Sequence, residues 1–444
     1  MKSSRFLLLI GALFLVTSTF SCTQKKNNNS CGYYKDVFMD SGIYMIDRKD
    51  LPATRFLGLS METFIAAPYY PSELTITDTI MQKELMCGNP LDENGILLYP
   101  DGEPRFRMIY MNGGLATKHG GSLTPQGREN IRKFIENGGS YVGSCAGMFI
   151  ASNGVYTEGK EYTPNESYLS IWPGTTHESE LSDSYTAVKF PKDSPLLKYY
   201  DFGGDLMIDS LRHSNGGYAY YGEGGIIPEG TEPLFRFVYD TVSVDAKTRQ
   251  IHDQVCAWAY KKNEESGRVV ITGSHPEGVV VGERLELMAA MMQYAMDGNG
   301  IEKIKGELIP GEVREMNRST ADSDPLFTKI GDRQYHHFTV EIPKKTKEAV
   351  IVLQGYEGAD NFDLTLAACN DELAFHNKTS IMNVSLGCNK TLVLKNPKAG
   401  KWYISVFCET TVTTDTGEKG IIYTGRKDVL NGVPYKIKVE CKRE

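Results

Sequence analysis

The chain has 444 residues, 41% of them hydrophobic and 23% charged, with a formal net charge of −8. That length exceeds what one hydrophobic core organises, so two or more domains are expected. The acidic balance excludes an electrostatic footprint for nucleic acid, and apolar segments spread along most of the length argue against long-range disorder.

The first predicted element is a targeting segment. Lys2 and Arg5 precede an apolar run over residues 6–16. That run is too short to span a bilayer but has the length of a signal-peptide core. It leads into "STFSC", which resembles a bacterial lipobox and makes Cys22 the candidate lipidation site. Thr19 and Phe20 depart from the usual small residues, so plain secretion stays open. Residues 23–30, "TQKKNNNS", and on to 35 read as a polar tether. The expected location is the bacterial cell envelope, with the membrane as a partner through the lipid anchor.

Residues 36–297 carry the pattern of an α/β domain. "RFRMIYMNGG" (105–114) reads as a buried strand ending in glycines. "TPQGRENIRKFIENGG" (124–139) reads as a helix with Thr124 as N-cap, Pro125 as its first residue and Gly138 as its stop. Ile131, Phe134 and Ile135 share one face of it. "SYVGSC" is the next strand and "AGMFIAS" the next helix; "GRVVITGS" (267–274) is a further strand. "GERLELMAAMMQYAMDG" (282–298) is a helix whose Leu285, Leu287, Met288, Met291 and Met292 supply a core face. The alternation implies crossover connections and a mostly parallel sheet flanked by helices.

Residues 298–325 turn polar and irregular and read as a linker. From 326 to 444, short runs such as "YHHFTVEIP", "EAVIVLQGYE" and "KWYISVFCE" alternate with turn residues, the signature of an all-β sandwich. "GADNFDLTL" with "NPKAGKWYISV" resembles the bacterial pre-peptidase C-terminal domain. Asp360 and Asp363 could hold a cation there but more often make a turn. In an oxidising compartment Cys369, Cys388, Cys408 and Cys441 could form two disulfides, and a Cys31–Cys87 bridge is possible.

Three short motifs carry the chemistry. In "GSCAG", Cys145 would follow a strand and open a helix, a tight turn that lifts the side chain above the sheet. The helix N-terminus favours a thiolate there. In "ITGSHPEG", His275 follows the last strand of the domain, and Glu277 can fix its tautomer. In "MNGGL", the amides of Gly113 and Gly114, with that of Ala146, could form an oxyanion hole. Each motif alone is weak, and a buried structural cysteine or a surface His-Pro-Glu turn explains it equally well. Together in one α/β domain they point to a nucleophile, a base and an orienting carboxylate.

At these residues the chain resembles the class I glutamine amidotransferase-like superfamily. "MNGGL…IRKFIENGGSYVGSCAGMFIAS" and "HSNGGYAYYGEGG" (213–225) are most similar to the biotin-protein ligase N-terminal domain family. The resemblance implies Cys145 as nucleophile, His275 as base and acid, and Glu277 as orienting group. It suggests Asn215, Gly216 and Gly217 as substrate-binding residues, although a glycine turn explains them as well. Asn112 stands where the family more often has proline. No nucleotide signature or ligase domain follows, so glutamine-dependent synthesis is disfavoured. The expected activity is hydrolysis of an amide or γ-glutamyl-type bond in a small or peptide-like substrate, with no cofactor or metal. The alternative is a catalytically silent envelope ligand-binding protein on the same fold. Trp172, His177 and nearby tyrosines could wall the pocket.

Overall fold

The computed structural model describes residues 32–40, 51–64, 85–156, 164–238, 251–320, 324–359, 361–377, 379–417 and 420–443. The targeting segment, Cys22, Cys31 and Asp360 lie outside the described residues. Among those described, no helix is long and apolar enough to cross a membrane.

Up to residue 296 the strands are β1 (Lys35–Asp40), β2 (Met61–Phe64), β3 (Phe106–Met111), β4 (Ser140–Ser144), β5 (Gly154–Val155), β6 (Thr175–Glu178), β7 (Ser184–Lys189), β8 (Met207–His213), β9 (Gly217–Ala219), β10 (Glu232–Val238), β11 (Val255–Tyr260) and β12 (Val269–Thr272). The helices are α1 (Pro52–Leu57), α2 (Ala116–Ser122), α3 (Thr124–Glu136), α4 (Ala146–Ala151) and α5 (Glu283–Met296). Nine strands form one sheet in the order β2-β1-β3-β4-β12-β11-β10-β7-β8. From β2 to β12 every pairing is parallel. From β12 to β8 every pairing is antiparallel. A small sheet, β5-β6-β9, sits beside it.

Both faces of the parallel half are covered, as continuous apolar strands require. Val37, Met39, Met108 and Val142 pack with Leu285, Leu287, Met288, Met291 and Met292 of α5. Phe38, Phe106, Ile109 and Tyr141 pack on the other face with Ile131, Phe134 and Ile135 of α3. Helix α3 begins near its expected place: the Gly127 amide donates to Thr124 Oγ1 at 3.4 Å, Pro125 lies in the first turn, and Gly138 leaves the helix at φ 110°.

Register sets the site. Thr272 of β12 pairs with Ser144 of β4, and Met111 of β3 pairs with Gly143. The three parallel strands therefore end almost level, and Gly113, Cys145 and His275 leave the same edge of the sheet.

The C-terminal half is a sandwich. Its strands are β13 (Ile304–Glu307), β14 (Val313–Met316), β15 (Tyr335–Ile342), β16 (Thr346–Gly355), β17 (Leu364–Cys369), β18 (Ile381–Asn383), β19 (Lys390–Lys395), β20 (Gly400–Cys408), β21 (Thr413–Gly417), β22 (Gly420–Thr424) and β23 (Tyr435–Arg443). One sheet runs β13-β15-β20-β17-β18, the other β14-β23-β16-β19. The expected linker is thus not a linker. β13 and β14 lie within 298–325 and form outer strands of the two sheets. Short, half-exposed edge strands carry too little alternation to be read from sequence.

The expected disulfides are absent among the described residues: Cys87, Cys369, Cys388, Cys408 and Cys441 all remain thiols. Local acceptors take their place. Cys388 donates to the carbonyls of Ala359 (3.1 Å) and Phe362 (3.2 Å), and Cys408 to that of Thr410 (3.4 Å). Asp363 Oδ1 accepts the Gly387 amide at 2.6 Å, the bond of a turn residue.

A buried ionic seam joins the halves. Arg105, 2% exposed, gives a two-pronged contact to Asp332 of the sandwich at 2.9 Å to each oxygen, and bonds Tyr423 Oη at 2.9 Å. Lys305 bridges Asp101 (2.7 Å) and Glu103 (2.8 Å), and Gln334 donates to Asp101 at 2.6 Å. The Lys305 ammonium and neighbouring donors hold the Asp101 carboxyl well below the usual range against its burial. Removing one partner of such a pair strands the other in a dry interior. Asp332→Ala is therefore expected to lower unfolding stability by about 3–5 kcal/mol in urea titrations. Both halves should unfold in one transition, followed at Trp172 and Trp258 on one side and Trp402 on the other; two separate transitions would show that the seam does not couple them.

Candidate active site

Cys145 lies between β4 and α4 with φ 49° and ψ −107°. That is a costly backbone for a side-chain-bearing residue, and such strain concentrates at functional turns. The neighbouring glycines permit it. A Cβ on Gly147 would lie 2.1 Å from the Met111 carbonyl oxygen, and one on Gly143 would lie 2.7 Å from the Gly147 carbonyl. Beneath the turn, Tyr141 Oη donates to the Gly147 carbonyl at 2.7 Å, and Tyr110 and Ser144 share a hydroxyl bond of 2.8 Å. The Cys145 amide donates to the Thr272 carbonyl at 2.9 Å, tying the turn to β12.

His275 arrives three residues after β12. Its amide donates to the Arg212 carbonyl at 2.8 Å, and its Nδ1 donates to Glu277 Oε1 at 2.9 Å. Glu277 is buried, while the His275 side chain is 15% exposed. Nε2 has no hydrogen-bond partner among the described residues, and Cys145 is a neighbouring side chain that acts on the ring. Burial pulls the imidazolium down. The neighbouring Cys145 and Glu277 side chains outweigh it, raising the His275 pKa to about 10. Glu277 thus orients the ring and favours its charged form.

Gly113 closes the site from β3. A Cβ there would lie 2.8 Å from His275 Cε1 and 3.5 Å from Cys145 Cβ, so only glycine lets the three approach. Gly114 follows at φ 148°. Ala146 is the first residue of α4, so its amide has no preceding helical turn to bond. These are the positions proposed for oxyanion donors.

The segment after β8 completes the site. The Cys145 thiol donates to the Ser214 carbonyl at 3.4 Å. Ser214 is the contact that sequence reasoning missed; its only signal was its place in "HSNGG". Asn215, exposed and at φ 53°, donates its amide to the Leu181 carbonyl at 2.6 Å. Gly216 and Gly217 serve close backbone approach: added Cβ atoms would meet the Gly273 carbonyl oxygen at 1.8 Å and the His177 carbonyl oxygen at 2.4 Å. Their glycine identity is explained by packing. Trp172 is buried against Trp258, ring centres 4.8 Å apart, and takes no part in a pocket wall. His177 does lie among tyrosine rings.

His213 is fully buried beside His275, and neither of its ring nitrogens has a partner among the described residues. Burial first, and then the His275 charge, lower its pKa to about 3. No group of three or more metal-ligating side chains occurs among the described residues.

Residues 101–306 match the model of the family described as biotin-protein ligase, N terminal. That span carries the likeness. It runs from just before β3 to β13 and includes every residue of the site. No curated protein matches the chain. Among solved structures, a glutamine amidotransferase aligns at 13% identity and TM-score 0.34, covering 58% of this chain and 98% of that one. A protein described as part of a GMP synthase from Thermoplasma acidophilum aligns at 12% identity and TM-score 0.34, covering 59% and 94%.

Two titrations follow, with opposite signs. The raised pKa of His275 contributes stability that is complete below pH 6.5 and is lost as pH rises through about 10. His275→Gln should flatten the fall in melting temperature across that window. The lowered pKa of His213 costs stability as pH falls from 6.5 toward about 3, because the unfolded chain takes up the proton first. His213→Phe should reduce acid sensitivity in that range, and an unchanged profile would contradict the burial argument.

Proposed function

We propose that the chain is a cysteine hydrolase of amide or γ-glutamyl-type bonds, exported by its N-terminal segment and held at the envelope by lipid on Cys22. The observation that supports it best is the strained Cys145 turn facing a His275 that Glu277 orients. The Cys145 sulfur attacks the carbonyl carbon. The developing oxyanion turns toward the amides of Ala146 and Gly114. His275 takes the Cys145 thiol proton as the sulfur attacks and gives it to the leaving amine. It then takes a proton from water, which attacks the thioester and restores the thiol.

One observation favours a second reading. Cys145 is only 5% exposed and its thiol already donates to the Ser214 carbonyl, as in a protein that binds without turnover.

An electrophilic thiol probe separates the two. Wild type should label at the Cys145 peptide, labelling should vanish in Cys145→Ala, and His275→Ala should slow it by about 10²–10⁴-fold, the usual worth of a positioned base. Labelling unaffected by His275→Ala would leave the silent binding protein as the better account.

A further inference from the structure

Four aromatic rings gather beside the Cys145 turn. Tyr156 stacks on Tyr220 with ring centres 4.2 Å apart and planes 16° apart. His177 stacks on Tyr218 at 5.3 Å and lies 5.4 Å from Tyr220 and 6.0 Å from Tyr156. Tyr156, His177 and Tyr220 are half-buried, so the group reaches the surface.

A continuous backbone ladder ties this group to the thiol. His177 pairs with Tyr218 and Glu178 with Gly217 in the β6–β9 ladder. Ser179 donates from its amide (2.9 Å) and hydroxyl (2.6 Å) to the Gly216 carbonyl, and the Asn215 amide donates to Leu181. The next residue back, Ser214, accepts the Cys145 thiol. On the other side, the Tyr156 amide donates to the Thr176 carbonyl at 2.7 Å. Gly217 also packs on Phe149, one turn beyond Cys145. Tyr218 is four residues from Ser214, so the two lie within about 13 Å, the reach of a fully extended chain of that length.

Among the described residues, the charge at this place is negative. Glu178, Glu180 and Glu223 are exposed around the rings. Burial and then the charges of Tyr220 and Glu180 push the Tyr218 phenol up to about 12, and burial and then Glu178 do the same for Tyr168. Ring faces and carboxylates together attract a cation.

We propose that the Tyr156–His177–Tyr218–Tyr220 cluster is a subsite for a positively charged amine or guanidinium carried by the substrate. The inference rests on reading Cys145 as the nucleophile. The substrate is then an amide whose cationic group lies a long side chain away from the bond that is cut.

The test uses iodoacetamides on one six-carbon spacer, ending in trimethylammonium, methyl or carboxylate, with alkylation followed at the Cys145 peptide of the full chain. The cationic reagent should react fastest. Its advantage over the methyl reagent should fall by about two- to fivefold in Tyr220→Leu, the range of an exposed cation–π contact. Glu180→Gln, an exposed substitution, should lower the cationic rate and leave the methyl rate unchanged. Equal rates for all end groups, or an advantage that survives both substitutions, would overturn the subsite while leaving the nucleophile standing. A Cys145 that no reagent alkylates until the chain is unfolded would overturn both.

Discussion

The arrangement depends on the backbone of Cys145. A residue with a side chain is held at φ 49° because Gly143 and Gly147 leave no Cβ in the way and because β3 and β12 flank the turn on both sides. Three neighbouring parallel strands end almost level, so one strained position gathers a thiol, an imidazole and a glycine turn at one sheet edge. The local conformation costs on the order of 1–3 kcal/mol and persists only where the surroundings over-determine it. Here the Cys145 amide bond to Thr272 and the Tyr141 bond to Gly147 do so.

The second constraint is the seam. Arg105 and Lys305 are almost fully buried, and each meets carboxylates that span the two halves or the chain turns next to them. Buried pairs of this kind are weak evidence for stability, since apolar replacements often do as well. They are strong evidence for a fixed arrangement, because few docking geometries satisfy a two-pronged arginine. The sandwich also sends β21 and β22 across to the sheet edge, where Thr414 donates to Glu62 of β2 at 3.0 Å.

Much of this was legible in the sequence. The helix over 124–136, the strand before Cys145 and the helix over 283–296 stand out because long periodic segments with Pro and Gly punctuation have little alternative. Cys145, His275 and Glu277 were legible because each follows a strand that reads as buried. The antiparallel half was not, since short half-buried strands between long loops give little periodicity. The strands inside 298–325 were missed for the same reason. The cysteine count suggested bridges, but pairing depends on strand geometry that spacing does not encode. Ser214 acts through its carbonyl, which no side-chain pattern can announce.

The position of β12 has a consequence for synthesis. This strand fills the middle of the sheet, between β4 and β11, yet it comes late in the chain. Until it emerges, β4 is an open edge with unpaired amides, the kind of surface that recruits other chains. A nascent chain that has made Cys145 but not Val269 thus carries a thiol without its neighbouring histidine and a sheet without its centre. The same insertion that seals the edge delivers His275 to the Cys145 turn, so assembly of the candidate site and protection from aggregation come in a single step.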